Sequence, residues 1–131
     1  MTLSEYFDKA KGIGVLATAD GQGKVNVALY ARPHFLDEND PSTCAFIMSD
    51  RQSHANLQSN PHAAYLFMEE GAGYVGRRLT LSKLREETDQ EKIQAIRRRT
   101  AWPASQDEVK YLVYFHIDAV RPLVGTEEGG S

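Results

Sequence analysis

Hydrophobic and polar positions along the chain change period several times, and most of the apolar runs have the period of strands. Residues 13–19 form the first such run, and residues 24–32 return with Val25, Val27 and Leu29 on one face and Asn26, Ala28 and Tyr30 on the other, the two-residue period of a strand. Between them, Asp20-Gly21-Gln22-Gly23 is a tight connection of the kind hairpins use. Residues 43–48 and 63–68 predict two more strands. The second is apolar without alternation, which predicts cover on both faces. Residues 74–84 read as a long strand with Leu79, Leu81 and Lys83 facing one way, after a turn at Gly71-Ala72-Gly73. Residues 109–120 alternate most clearly: Val109, Tyr111, Val113, Phe115 and Ile117 against Lys110, Leu112, Tyr114, His116 and Asp118.

Three short segments have a helical pattern instead. Residues 3–11 place Leu3, Phe7 and Ala10 on one face, and Gly12 ends them. Residues 49–59 open with Ser49 and Gln52 at capping-box spacing and stop at Asn60-Pro61; residues 88–99 open with Thr88 and Glu91 at the same spacing. A break follows at Trp102-Pro103, while residues 32–36 are extended because Arg32 precedes a proline. Strands dominate and hairpins join them. The pattern predicts a mainly β (α+β) fold, a largely antiparallel sheet closed or nearly closed as a barrel, with short peripheral helices. One domain spans residues 1–125, and residues 126–131 form a frayed tail.

Composition narrows the function classes. A chain of 131 residues is one domain by size, and a net charge of −3 implies no overall nucleic-acid surface. Cys44 is the single cysteine, so no intrachain disulfide and no multi-thiolate zinc site can form; beside Ala45-Phe46-Ile47 it reads as a small buried apolar residue. No apolar run approaches the roughly 20 residues of a membrane span, and the first residues lack the basic-then-apolar order of a secretion signal. A soluble, cytoplasmic protein is expected, with no membrane and no nucleic-acid partner. His34, His54, His62 and His116 have no pair at ligand spacing, so no metal is expected. Gly71-Ala72-Gly73-Tyr74-Val75-Gly76 matches a dinucleotide fingerprint by letters, but it precedes a strand rather than a helix and reads as a hairpin turn. Arg97 to Arg99 read as a solvated helix end, where cations meet the dipole favourably, and Trp102 as part of a cofactor edge or a dimer surface.

The stretch with chemical content is 46–61. An apolar strand ends at Met48, and Ser49, Arg51, Ser53 and His54 crowd the start of the helix that follows. Free N–H groups and the positive dipole end point outward there, as an anion such as a phosphate requires. A capped surface helix would read the same way. The Asn26, Ala28 and Tyr30 face is small and polar enough for a planar group to lie against it, although an ordinary half-exposed strand face also fits.

These residues carry a resemblance. Gly14-Val15-Leu16-Ala17-Thr18, Asp20-Gly21, residues 25–30, Ile47 through Ser53, Asn56-Leu57 and Asn60-Pro61-His62-Ala63-Ala64 together resemble the pyridoxamine 5′-phosphate oxidase-like FMN-binding split-barrel family. The likeness runs over residues 5–120 and is strongest over 14–66. It implies a six-stranded antiparallel split β-barrel and a homodimer with FMN in a cleft at the subunit interface. It also implies a flavin phosphate near Met48, Ser49, Arg51, Ser53 and His54, and the edge of the ring along Asn26, Ala28 and Tyr30. Members of the family often have lysine where Ser53 stands, so the charge facing a phosphate falls to Arg51, helped by His54. The implied function is an FMN-dependent oxidoreductase acting on an unidentified small molecule or redox partner. The cofactor itself carries the redox chemistry, so no catalytic side chain is named. Alternatives are a flavin-binding electron carrier without turnover and, behind it, a split barrel binding haem or a deazaflavin. Residues 83–110 form a charged insertion relative to the minimal pattern. The carboxyl-terminal substrate residues of the vitamin-forming oxidase have no counterpart, so oxidation of pyridoxamine phosphate is not implied.

Overall fold

The structure, a computed structural model, describes residues 1–71, 73–100 and 109–125. Trp102 and the expected tail at 126–131 lie outside these residues, as does the side chain of Arg99. Thr2 accepts from the Glu5 N–H while the Glu5 carboxylate accepts from the Thr2 N–H, and this reciprocal cap starts helix α1 (Leu3–Lys9). Strand β1 (Gly12–Ala19) follows and turns back at once. The Asp20 carboxylate accepts from the N–H groups of Gln22 and Lys24, both at 2.9 Å, and Gly23 takes a φ of 85° that other residues rarely adopt. Strand β2 (Val25–Leu29), strand β3 (Thr43–Ser49), helix α2 (Gln52–Ser59) and strand β4 (His62–Glu69) come next. Strand β5 (Gly76–Glu87), helix α3 (Gln90–Thr100) and strand β6 (Lys110–Pro122) complete the described chain.

All six strands form one antiparallel sheet in the order β2-β1-β4-β5-β6-β3. Irregular register in β5 at Thr80/Leu81 and Lys83/Arg85 adds twist where the sheet curls. The inside of the curl is filled by Leu16, Phe46, Met48, Tyr65, Phe67, Leu79, Leu81, Val113 and Phe115, with Phe7 of α1 plugging one end. Phe7 meets Phe67 and Tyr65 edge-on, a favoured arrangement of ring quadrupoles. Arg32 fixes α1 by donating to the carbonyls of Phe7 and Ala10 at 2.6 and 3.1 Å, which the helix end leaves open. On the outer face of β3 and β6, α3 lays Ile93 and Ile96 on Ala45, Leu112 and Tyr114. The first half of β6, residues 112–115, is therefore buried on both sides.

Three local expectations are corrected. Strand β4 is covered on one face only. Ala63, Tyr65 and Phe67 point inward, while Ala64, Leu66 and Met68 face out. Among the described residues, α3 covers β3 and β6, and no helix covers the outer face of β2, β1 and β4. That face leaves Ile13, Val25, Val27 and Leu29 more than half exposed. Secondly, α2 begins at Gln52 with Arg51 in the capping position and no side-chain cap. Ser49 is the last residue of β3, and its hydroxyl accepts from Lys110 Nζ at 2.6 Å. Thirdly, α3 is capped by Asp89 rather than Thr88: the Asp89 carboxylate accepts from the Lys92 N–H at 3.2 Å and its carbonyl from the Ile93 N–H at 3.0 Å. A carboxylate one residue nearer the helix outcompetes the hydroxyl.

Candidate functional site: the cleft between the sheet edges

The two end strands of the sheet, β2 and β3, do not pair with each other along their length. The segment after β2 makes one bridge to β3, with His34 and Ala45 exchanging two hydrogen bonds of 2.8 Å. Beyond that bridge the edges part and enclose a cavity of about 420 Å³, within the roughly 300–1,000 Å³ of small-molecule and cofactor sites. Residues 26–32 of β2 and its continuation form one wall, Phe46, Ile47 and Ser49 of β3 the other, and Arg51, Gln52 and Ser53 at the start of α2 close one end.

Backbone alternation decides what β2 offers to this cleft. Tyr30 donates its N–H to Gly14 O and Asp20 donates to Lys24 O, so Asn26 and Ala28 spend their backbone groups on β1. The N–H and C=O groups of Val27 and Leu29 face the open edge instead. The inner face of β2 meets α2 through side chains. Asn26 Nδ2 donates to Ser53 Oγ at a long 3.5 Å. Burial raises the Tyr30 phenol above its ordinary value, while a hydrogen bond with Ser53 and the nearby charge of Arg51 pull the other way. Asn26, Tyr30, Arg51 and Ser53 therefore meet at one place, although Ser53 lies 27 positions from Asn26 in sequence.

Helix α2 is held there by polar residues. Asn56, 1% exposed, donates Nδ2 to Thr18 Oγ1 at 3.0 Å and accepts from Gln52 Nε2 at 2.7 Å. The Gly21 N–H donates to Ser59 Oγ at 3.0 Å, and Asn60 Nδ2 donates to the Asp20 carbonyl at 3.3 Å. Asn56, Asn60 and the Asp20-Gly21 turn thus fix the middle and the C-terminal end of the helix against β1 and its hairpin.

Of the eight predicted cofactor residues, Asn26, Ala28, Tyr30, Ser49, Arg51 and Ser53 line the cavity. Met48 does not: strand alternation turns it into the core, where it is fully buried. His54 also faces elsewhere. Its ring stacks on Tyr111 with centroids 3.8 Å apart, and its Nε2 lies 2.9 Å from Glu86. Burial opposes ionisation of Glu86, but hydrogen bonds from Lys83, His54 and Gln58 outweigh it and hold the carboxyl down at about 2. His54 fastens α2 to β5. Sequence reasoning missed three other lining cations: Arg32, which follows β2, Arg97 of α3 and Lys110 of β6. Arg97 was legible only as one of three arginines at a helix end, yet it is 7% exposed, whereas Arg98 is exposed as expected. Among the described residues no cluster of three or more His, Cys, Asp or Glu is placed to hold a metal ion. No described helix is long and apolar enough to cross a membrane.

No family model and no curated protein matches the sequence. The shape does find relatives. An FMN-binding protein from Syntrophomonas wolfei subsp. wolfei superposes with a TM-score of 0.73 at 15% identity, covering 92% of this chain and 82% of that one. The chain has the pyridoxamine 5′-phosphate oxidase-like split-barrel fold. An F420 reductase matches this split barrel with a TM-score of 0.70 at 16% identity, over 92% of this chain and 97% of that one. A pyridoxamine 5′-phosphate oxidase-like protein from Lactobacillus delbrueckii matches with a TM-score of 0.65 at 16% identity, over 92% of each chain.

Proposed function

We propose that this protein binds FMN in the cleft between β2 and β3 and acts as a homodimeric, FMN-dependent oxidoreductase of a small molecule. The observation that carries the proposal is the pairing of an open strand edge with a cationic helix start in one cavity. The donor set fits the group. Arg51, Ser53 and Ser49 at the end of the cleft suit a phosphate, and no carboxylate is among the described residues that line it. The outward N–H groups of Val27 and Leu29, beside the small side chain of Ala28, suit the polar edge of a planar ring. Bound FMN would supply the redox chemistry; the chain's part is to bind, orient and shield the ring. A second copy fits the outer face of β2, β1 and β4. Val25, Val27 and Leu29 are 79%, 68% and 76% exposed, an apolar patch of the kind that marks an interface, and the same strand borders the cleft.

Likeness to an F420 reductase favours a second reading, in which a deazaflavin with its own phosphoryl group takes the cleft. Titration of the purified protein with FMN and with F420, followed by fluorescence quenching, separates the two. Saturable FMN binding at one per chain is expected. Arg51→Ala should weaken it by about 1.5–3 kcal/mol, the size of a charge-assisted hydrogen bond. Tight binding of F420 with none of FMN would replace the cofactor, and binding of neither would overturn the flavin proposal. Consumption of NAD(P)H with a panel of acceptors tests turnover, and its absence with FMN bound would leave an electron carrier.

A further inference from the structure

Arg32 stands at the end of the cleft wall opposite α2. Side chains two positions apart on an extended chain share a face. The face of Asn26, Ala28 and Tyr30 therefore continues to Arg32, and all four residues line the cavity. Asn26 meets Ser53 at the helix start; Arg32 is six positions further on, up to about 20 Å along the chain. Its guanidinium is anchored through one nitrogen. Nη1 donates to the carbonyls of Phe7, Asp8 and Ala10 at 2.6, 3.4 and 3.1 Å, where the end of α1 leaves them open. Burial raises the Tyr65 phenol and the Arg32 charge acts against it, so the guanidinium also lies near that ring. Nε and Nη2 donate to no described residue, and neither is sealed from solvent. These two groups form the side-on edge of a guanidinium, a fork whose parallel N–H bonds match both oxygens of a carboxylate. No Asp or Glu among the described residues lines the cavity to occupy it. Because Nη1 is already held, little side-chain freedom is left to lose when a ligand takes the fork.

We propose that the Nε–Nη2 edge of Arg32 binds the carboxylate of a small-molecule substrate and makes the cleft select acidic substrates over neutral ones. The inference rests on the flavin reading for the reaction the substrate undergoes, not for the charge recognised. With the FMN phosphate at the α2 end and the ring along Val27 and Leu29, Arg32 stands beyond the ring, on the side left for a substrate. One guanidinium beside the partial negative charge of a helix end suits a planar monoanion better than a multiply charged group. On this assignment α1 does more than plug the barrel: its last carbonyls aim the fork.

The test uses the FMN-loaded protein and two probes of nearly equal shape, benzoate and benzamide, titrated by the change each makes in the visible flavin spectrum. Wild type should bind benzoate about tenfold tighter than benzamide, or more, as a charge-assisted pair implies. Arg32→Met should bring the two affinities within about twofold of each other. Arg32→Lys keeps the charge and a donor for the α1 carbonyls but has no fork, and should lose about threefold or more of the preference. FMN affinity should stay within about twofold in both variants, a result that general damage to the cleft would not give. Circular dichroism confirms that each variant is folded, and Arg32→Lys carries the test should Arg32→Met fail to fold. A wild type that does not prefer benzoate, an Arg32→Lys protein that keeps the full preference, or equal losses for FMN and both probes would overturn the proposal. Should wild type bind no FMN, the flavin reading fails alone. The fork is then read from ligand-observed NMR of the same two probes on the FMN-free protein, where benzoate should bind to wild type and more weakly to Arg32→Lys. Benzoate bound equally by both, or by neither, would sink it.

Discussion

Replacement of Gly14 by alanine tests how β1 positions the cleft. Gly14 points inward on β1, and a Cβ built there would run into the Tyr65 hydroxyl and lie 2.5 Å from the carbonyl oxygen of Tyr30. Neither neighbour yields easily. The Tyr65 ring is buried in the core, and its hydroxyl donates to the Tyr30 and Ala31 carbonyls at 3.3 and 3.2 Å. Overpacking of this kind costs about 1–3 kcal/mol, and the displaced phenol forfeits hydrogen bonds worth about 1 kcal/mol. Alanine restricts the unfolded chain more than glycine does, which returns about 0.5–1 kcal/mol. A net loss of about 1–3.5 kcal/mol is expected, or roughly 4–13 °C in Tm for a chain of this size. Urea unfolding followed by circular dichroism measures the loss. Tyr65→Phe alone should cost about 1 kcal/mol, and in the double variant the two losses should sum to less than their separate values, since the hydroxyl that clashes has gone. Because Tyr30 lies at the end of the strained segment, FMN affinity should fall in Gly14→Ala as well. A Gly14→Ala protein as stable as wild type, with an unchanged denaturant slope, would refute the account of this close approach.

Other expectations follow from the remaining contacts. Glu86 titrates at about 2 against an ordinary 4.5, so its contribution is complete above about pH 4.5 and is lost as pH falls through 2. Glu86→Gln should cost about 1 kcal/mol at pH 7, a figure discounted for solvent screening at this partly open carboxylate, and should flatten the acid limb of the stability profile between those values; an unchanged acid limb would contradict the His54–Glu86 assignment. Burial pushes the Cys44 thiol up to about 12, so a thiol reagent at pH 8 should label it only on unfolding. Labelling within seconds in native buffer would show otherwise. Val27→Asp with Leu29→Asp should convert a dimer to a monomer in light scattering after size exclusion and weaken FMN binding. A wild-type protein that is monomeric yet binds FMN would remove the interface from the proposal.

Much of this architecture was legible in the sequence because its signals are local. The Asp20-Gly21 hairpin and the two faces of β2 are each set by neighbours within a few residues, whereas Asn56 and Asn60 stood out as a pair by their spacing and find their partners, Thr18 and Asp20, on β1 and its hairpin. What was not legible depends on long-range phase. An apolar run such as β4 reads the same whether one face or two are covered. Ser49 and Thr88 matched capping letters, but Lys110 and Asp89 offered competing partners that spacing alone does not reveal. Met48 and His54 stood beside true lining residues and were turned away by one step of strand or helix phase. Arg97 and Lys110 reach the cleft through helix docking and strand register, so arginines at a helix end and a lysine at a strand start carried no mark of it.

The polar fastening of α2 has a dynamic consequence. Leu57 is its only large buried apolar side chain; its other attachments are the His54 ring stacked on Tyr111 and paired with Glu86, and hydrogen bonds worth about 1 kcal/mol each. The helix can therefore open at a fraction of the free energy needed to unfold the sheet. Backbone amides in residues 52–59 should exchange with deuterium well before those of Leu16, Tyr65 or Phe115. An anion gripped at the helix start would slow exchange in that two-turn segment above all, and its residence time would be set by how often α2 lets go of β1.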